Sequence, residues 1–280
     1  IIFICNLYYY KLKLLCLLLI IGKIMPSFRK ELEKKDLEIL DLFTISFSIF
    51  RYNFFNFFLI AMICGIPIIL TTAYFPPTIL DPLKIQTFED FINWFKNEVN
   101  EGFYINTFLS WFLDIISVLS ISFLVEVMIN KKIRTAFWAI KKSVKVILPA
   151  IITSFIYMII VFFGLAFFII PGLIFVVLFM FTNNICALRH TWGIDAIKYS
   201  ASLIKPKFFK ALFMLSFIVF FENVFIISFP SAPADTREGL LYYFLSRVLL
   251  YLFDTYFKII IALFFLNRDF VSNSQKLDFD

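Results

Sequence analysis

The chain has 280 residues, of which 61% are apolar, 20% are aromatic and only 16% are charged. Soluble single domains do not reach this balance, because they need a polar surface to stay in water. The composition therefore excludes an ordinary soluble enzyme or nucleic-acid-binding domain, and it indicates an integral membrane protein.

Six apolar stretches are long enough to cross a bilayer, since about 20 residues at 1.5 Å each span roughly 30 Å of hydrocarbon. We place these spans at 54–75, 104–129, 146–168, 173–189, 208–229 and 240–266. The sequence thus predicts an all-α fold, a polytopic transmembrane helix bundle with six spans. The membrane domain is expected over residues 25–268, and a short cytoplasmic tail over 269–280.

A leader of 24 residues precedes Met25, from which the sequence MPSFRKELEKKDLEILDLF reads like a native start. The apolar core of this leader, from Leu14 to Gly22, is too short for a span, and no small-residue cleavage site follows it. We therefore expect residues 1–24 to lie outside the fold, and we expect their deletion to leave insertion unchanged.

Three basic, amphipathic stretches each run directly into a span, at 49–58, 140–149 and 204–213. In the segment before the first span, one helical face carries Leu32, Ile39, Phe43, Phe47 and Phe50. Such helices lie in the membrane interface and bind by apolar burial plus attraction to anionic lipid headgroups. The sequence predicts interfacial helices on the cytoplasmic side, whose bases either set the topology or bind anionic lipid.

Residues 76–102 form a sizeable segment between the first two spans, which is still too small for a catalytic domain. Thr87 and Asp90 have the spacing of a capping box, and apolar residues follow at helical spacing. Gly102 is placed to end this helix. We expect a short helix that lies on the outer surface.

The basic residues divide unequally between the two sides of the membrane. Eighteen Lys and Arg residues fall in 25–53, 131–145, 189–210 and 267–280, against three on the opposite side, which are Lys84, Lys96 and Arg237. Because Lys and Arg are retained on the cytoplasmic side during insertion, both termini are predicted to be cytoplasmic.

Asp114 falls deep inside the second predicted span, where a charge in hydrocarbon is costly and normally faces a partner or a cavity. Asp114 forms a stripe with Ser110 and Ser117, which precede and follow it by about one turn. The sequence identifies no partner for Asp114. Structural pairing within the bundle and a solute or proton path both remain open for such intramembrane charges.

The fifth and sixth spans carry the other intramembrane charges. Arg247, Asp254 and Lys258 lie on one face of the sixth span. Asp254 and Lys258 are one turn apart and are expected to neutralise each other. Glu222 and Arg247 both lie roughly 10 Å from the predicted outer boundary, so an ion pair between them is predicted.

The segment FFIIPGLIFVVLFMFTNNICALRHTWGIDAIKYSASLIKPKFFKAL at 167–212 has a distinctive order of features: a Pro-Gly pair between two spans, a long apolar run, and a basic turn into the next span. The residues that carry this pattern are Pro171, Gly172, Gly193, Ala196, Ser200 and Leu203. The pattern resembles that of the bacterial six-span membrane proteins grouped with the membrane domain of glycerophosphoryl diester phosphodiesterases. One departure is Asn183 with Asn184, where such proteins tend to be apolar or to carry Pro.

The resemblance implies a multi-pass protein of the bacterial cytoplasmic membrane. In some relatives this domain precedes a phosphodiesterase domain, whereas many members consist of the membrane part alone. Only fourteen residues follow Leu266, so we expect no diesterase activity in this chain.

Motifs of soluble enzymes are absent from the sequence. Its seven Gly residues are dispersed, and neither GxSxG nor HExxH occurs. His190 is the only histidine, which excludes multi-histidine metal sites, and the four Cys show no CxxC spacing. We therefore predict no catalytic residue, no cofactor and no metal site.

The leading interpretation is a non-enzymatic membrane protein with an accessory, scaffold or envelope-homeostasis role. The alternative is a transporter or channel for a small solute, with Asp114 and the face formed by Arg247, Asp254 and Lys258 lining the path. A third is a membrane-embedded lipid enzyme. The expected partners are the lipid bilayer, anionic headgroups at the inner face, and a membrane protein or a second copy of the chain, but no nucleic acid.

Overall fold

A computed structural model describes residues 29, 32–33, 36–78, 87–167, 169–229 and 237–277. The predicted leader at 1–24 lies outside the described residues. Within the described residues the regular elements are helices, without a strand. The predicted all-α class is therefore confirmed.

The helices follow one another with short connections. They are α1 (Ile39–Tyr52), α2 (Phe54–Tyr74), α3 (Phe88–Asn97), α4 (Glu101–Ile129), α5 (Ala136–Phe167), α6 (Ile169–Leu178), α7 (Thr182–Arg189), α8 (Ile194–Ile204), α9 (Phe208–Ser228) and α10 (Arg237–Leu277). In this part of the chain, six helical stretches are long and apolar enough to cross a membrane, as predicted.

Several helices extend beyond the predicted spans. The stretch at 140–149, predicted as a separate interfacial helix, forms part of the first half of the 32-residue helix α5. A 3₁₀ turn at Lys205–Lys207 joins α8 to α9, with Pro206 in its first positions. Helix α10 continues through the predicted tail as far as Leu277.

The fourth span is broken rather than continuous, because α6 ends at Leu178 and α7 begins at Thr182. Ser200 of α8 bridges the break: its Oγ donates to the carbonyl of Leu178 at 2.8 Å and accepts from the backbone N–H of Phe181 at 3.2 Å. Backbone groups inside a bilayer must find protein partners, since no water replaces them. Ser200 therefore makes the interruption of the span tolerable.

The turn from α5 into α6 depends on two glycines. A Cβ on Gly172 would lie 2.5 Å from the Leu165 side chain and 2.6 Å from its backbone nitrogen. A Cβ on Gly164 would lie 3.0 Å from the Cα of Gly172. The Pro-Gly pair singled out in the sequence therefore marks a close approach of two helices.

Replacing Gly172 by Ala should lower the free energy of unfolding by about 1–3 kcal/mol, the usual cost of overpacking. The reason is that the new methyl group would overlap the Leu165 backbone, which cannot rotate away as a side chain can. Thermal unfolding in detergent measures the change. The neighbouring variant Leu173→Ala is the control, since Leu173 is exposed on the bundle. Equal stability of the two variants would contradict the close approach.

Helix α1 packs against the bundle through a face that overlaps the predicted one only in part. Leu42, Ile45 and Ile49 are buried, whereas Phe47 of the predicted apolar face is 57% exposed. The hydroxyl of Tyr256 on α10 donates to the carbonyl of Phe43 at 3.2 Å. The predicted face is therefore right in part, because Phe43 and Phe50 pack against the core, but the buried stripe of Leu42, Ile45 and Ile49 was missed.

Helix α3 begins with the predicted capping box. The hydroxyl of Thr87 accepts from the N–H of Asp90, and the carboxylate of Asp90 accepts from the N–H of Thr87. The prediction that Gly102 ends this helix is wrong, because Gly102 lies in the first turn of α4. A Cβ there would lie 2.7 Å from the carbonyl oxygen of Phe75, so glycine permits a close approach to the end of α2.

Candidate functional site

Three charged side chains meet about midway along the bundle and form what we call the central cluster: Asp114 of α4, with Asp254 and Lys258 of α10. Lys258 Nζ lies 2.5 Å from Asp114 Oδ1 and 2.6 Å from Asp254 Oδ2. It also lies 3.3 Å from the Oγ of Ser117. The predicted pairing of Asp254 with Lys258 is confirmed, whereas the prediction that Asp114 is unpaired is wrong.

The central cluster lies far from either end of the bundle. Asp114 is near the middle of α4, which runs from Glu101 to Ile129, so it is roughly 20 Å from each end of the helix. Charges at this depth are expensive in hydrocarbon and normally face a partner or a cavity.

A cavity of about 370 Å³ lies on one side of the cluster, between α2, α4 and α10. Besides the cluster, this first cavity is lined by Ser110, Trp111, Tyr251 and Thr255. Thr255 is 1% exposed, and its Oγ1 has no hydrogen-bond partner among the described residues. The stripe of Ser110, Asp114 and Ser117 predicted on the second span therefore faces a common cavity.

A second cavity, of about 200 Å³, lies between α4, α5, α10 and the break in the fourth span. Tyr157, Thr182, Asn183 and Asn184 line it. Asn183 Oδ1 accepts from the Ser154 hydroxyl at 2.8 Å. The Nδ2 of Asn184 donates to Ser122 at 2.8 Å, but its buried Oδ1 has no partner within the described part of the chain.

Asp114 and Lys258 line both cavities. On α4 the first cavity is lined between Ser110 and Ser117, and the second between Asp114 and Val118. On α10 the first is lined between Tyr251 and Lys258, and the second at Lys258 and Ile261. The two cavities therefore adjoin at the Asp114–Lys258 contact, and along α4 and α10 the first lies nearer to α3.

The predicted ion pair between Glu222 and Arg247 is wrong, since no salt bridge joins these two residues, both of which are described. The Arg247 guanidinium lies 5.2 Å from the ring of Tyr243 on the same helix. Helix α9 packs against α10 through Phe225 and Phe253, whose ring centroids are 4.3 Å apart. Arg247 is six residues before Phe253 and so about 120° away around α10. Glu222 and Arg247 therefore lie at matching depths in the membrane, but Arg247 does not face α9, the helix that carries Glu222.

Residues of α10 that were expected at the start of a tail form a second polar centre, buried at the other end of the bundle. Asp269 is 0% exposed. It accepts from Arg189 Nη2 at 2.5 Å, from Arg189 Nε at 2.9 Å and from the Tyr199 hydroxyl at 2.5 Å. Arg189 Nη1 also lies 3.2 Å from Glu126 Oε1. This Asp269 cluster, formed with Arg189, Tyr199 and Glu126, joins α4, α7, α8 and α10.

The neighbouring residues of α10 hold the segment that precedes α1. Asn267 accepts from the Leu37 N–H at 3.1 Å and donates to the Leu32 carbonyl at 3.0 Å. Asp36 lies 2.8 Å from Lys207 Nζ, and it also contacts Lys210 at 3.2 Å and Arg268 at 3.3 Å. Burial raises the pKa of Asp36, but the hydrogen bond from Lys207 and the charges of Lys210 and Arg268 outweigh it and lower the pKa below its ordinary value.

Acidification should therefore release this attachment. A carboxyl group whose pKa is lower in the folded state contributes stability above its unfolded pKa of about 3.9, and that contribution is lost as the pH falls through the folded value. We expect Asp36→Asn to be less stable than the wild type at pH 7, and we expect this difference to shrink as the pH falls below about 3.9, by thermal unfolding in detergent. Asp195→Asn, at an exposed position of α8, is the control. A stability difference that does not change with pH would contradict the role of Asp36.

The remaining residues of the family-like motif have structural positions. Ala196 and Leu203 are buried on the inner face of α8. Gly193 has φ +67°, and its N–H donates to the Thr153 hydroxyl at 2.7 Å. His190 ends α7 in the left-handed conformation, with φ 53°. These residues shape the connection between the fourth and fifth spans and lie away from the central cluster.

Comparisons of the chain with protein-family models, with curated proteins and with solved structures find no match. The resemblance of residues 167–212 to the membrane domain of glycerophosphoryl diester phosphodiesterases therefore stays a prediction.

Proposed function

We propose that the protein transports a small polar solute across the membrane, with the central cluster as the binding centre of the path. The observation that carries this proposal is that Asp114 and Lys258 line both cavities. A solute that enters either cavity would meet the same two side chains. An accessory or scaffold role, the leading interpretation of the sequence, makes no use of this arrangement.

The exposure of the cluster favours a path over a purely structural ion pair. Asp114 is 53% exposed at its side chain, whereas Lys258 is 11% exposed. A carboxylate that only held two helices together would gain most from being sealed between them. Asp114 is instead only half-buried, and it lines both cavities.

The broken fourth span supports the same proposal. Transporters of several folds place their binding site near the middle of the membrane, beside helices that are interrupted there. Here the turn between Leu178 and Thr182 contributes directly to the second cavity. The interruption therefore lies beside the proposed site.

The geometry suggests how access can alternate. Asp254 and Lys258 are one turn apart on α10, so a movement of the whole helix leaves their contact intact. The contacts of Lys258 with Asp114 and Ser117, by contrast, join two helices, α10 and α4. Separation of α4 from α10 at these contacts would join the two cavities, and a bound solute would replace Lys258 as the partner of Asp114.

The transport assay uses the full chain in liposomes that are incubated with an extract of the cells that produce it. We expect at least one extract solute to accumulate inside the wild-type vesicles, as detected by mass spectrometry. Asp114→Asn should lose this uptake, and Asp195→Asn should keep it. Equal solute profiles for wild-type and protein-free vesicles would overturn the proposal.

We propose an orientation of the chain in the membrane together with the transport function. The termini and the basic connections would face the cytoplasm of a bacterium, where Lys131, Lys132 and Lys141 are exposed and available to anionic lipid headgroups. A cysteine at Asn97 should then react with an impermeant thiol reagent from outside the cell. Reaction only from the cytoplasm would reverse the topology. The expectation that the chain is not an enzyme stays a prediction.

A further inference from the structure

We infer that the transported solute is a monovalent cation, and that it binds Asp114 between the two cavities. This inference rests on the proposed function, because it assigns a charge to the solute of that path. It follows from which hydrogen-bonding groups of the central cluster are already occupied and which remain available.

The donors of the cluster are fully used. A lysine ammonium group has three N–H donors and no acceptor. Lys258 has three acceptors within reach, at 2.5 Å from Asp114, 2.6 Å from Asp254 and 3.3 Å from Ser117. An anionic solute would have to displace one of them, and two of the three are carboxylates. The central cluster therefore has no spare hydrogen-bond donor for an anionic solute.

The acceptors of the cluster are only partly used. Lys258 contacts one oxygen of each carboxylate, and a carboxylate has about four lone-pair sites. Two carboxylates and one ammonium group also leave a formal charge of −1. Since Asp114 is the more exposed of the two carboxylates, it is the group that a cation would reach first.

Each cavity adds a buried oxygen that lacks a partner within the described residues: Thr255 Oγ1 in the first and Asn184 Oδ1 in the second. Both side chains are 1% exposed, and an unpaired buried polar atom is costly unless a ligand or water satisfies it. Both atoms can accept a hydrogen bond or coordinate a cation. Asn184 Oδ1 can only accept and so favours a cation, whereas Thr255 Oγ1 can accept as well as donate.

Aromatic rings line the cavities as well, with Trp111 and Tyr251 in the first and Tyr157 in the second. The face of such a ring attracts ammonium groups through its quadrupole. An organic ammonium ion and a small inorganic cation share the positive charge that Asp114 requires. The rings favour the organic ion, and the experiment separates the two.

The test measures binding by the full chain in detergent, through tryptophan fluorescence, to which Trp111 of the first cavity contributes, and through thermal stability. The salts are sodium chloride, sodium acetate, methylammonium chloride and choline chloride, used at equal ionic strength. We expect the change to depend on the cation and to saturate, and we expect sodium acetate to behave as sodium chloride does. A dependence on the anion, or no saturable effect of any of these cations, would overturn the inference.

Variants identify the binding group. Asp114→Asn leaves the Asp254–Lys258 pair in place and makes the cluster neutral, so it should weaken cation binding by about tenfold or more. Asp195→Asn should bind as the wild type does. If Asp114→Asn fails to fold, Asp254→Asn provides the same loss of charge and should weaken binding similarly. Unchanged affinity in the folded variant would assign the cation to another place.

The cation-binding test and the vesicle uptake test can fail independently of each other. Cation binding at Asp114 without uptake by vesicles would leave the site standing and overturn transport. Uptake of an anionic or neutral solute, with loss of uptake in Asp114→Asn, would support transport and overturn the assigned charge.

Discussion

Replacing Lys258 by Met should destabilise the protein by up to about 3–5 kcal/mol, the typical cost of removing one partner from a fully buried ion pair. Lys258 contacts both Asp114 and Asp254, so its loss leaves two carboxylates in the middle of the membrane without their counter-charge. Thermal and denaturant unfolding in detergent measure the change. Lys198→Met, at an exposed position of α8, is the control and should unfold much like the wild type.

A triple variant separates structure from transport at this site. Combining Lys258→Met with Asp114→Asn and Asp254→Asn removes all three charges, so most of the lost stability should return. Uptake by vesicles should not return, because the binding centre is gone. Recovery of both stability and uptake would show that the cluster only joins helices.

The second large effect is expected at Asp269. Asp269→Ala should also destabilise, by up to about 3–5 kcal/mol, since the partly buried Arg189 guanidinium loses two hydrogen bonds and its closest counter-charge. Tyr199 loses its acceptor at the same time. Unfolding in detergent provides the measurement.

Two variants serve as controls for Asp269. Asp195→Ala, at an exposed carboxylate of α8, should stay within about 0.5 kcal/mol of the wild type. Combining Asp269→Ala with Arg189→Met removes both charges and should be more stable than Asp269→Ala alone. If the combined variant is as unstable as the sum of the single changes, Arg189 and Asp269 are not coupled.

The six spans could be predicted from the sequence because length and hydropathy alone decide which segments can cross a bilayer. The capping box of α3 and the pairing of Asp254 with Lys258 were also predictable, since each depends on residues within one turn of each other. Local spacing determines such contacts whatever the tertiary packing.

Contacts between spans were harder to predict, because depth in the membrane is visible in the sequence and rotation of a helix about its axis is not. Glu222 and Arg247 match in depth, yet α10 turns Phe253 and not Arg247 toward α9. The same uncertainty concealed the partner of Asp114, which is Lys258 on another span. The pairing depends on how α4 and α10 pack.

Two further features had weak signals in the sequence. Arg268 was counted among the cytoplasmic bases, although it lies in a buried run with Asn267 and Asp269 at the end of a long helix. The break in the fourth span was hidden in an apolar run. Asn183 with Asn184, the noted departure from the family-like pattern, was the one indication that this span is unusual.

The most direct test of the proposed path is the access of a charged, membrane-impermeant thiol reagent to the two cavities. The four native cysteines are first replaced. Single cysteines are then introduced at Ser110 in the first cavity, at Asn183 in the second, and at Phe155, which is 52% exposed on the outer surface of α5, as the control. We predict that Ser110→Cys reacts from one side of the membrane, Asn183→Cys from the other, and Phe155→Cys from neither. If both cavity cysteines are as unreactive as Phe155→Cys from either side, the cavities are not part of a solute path.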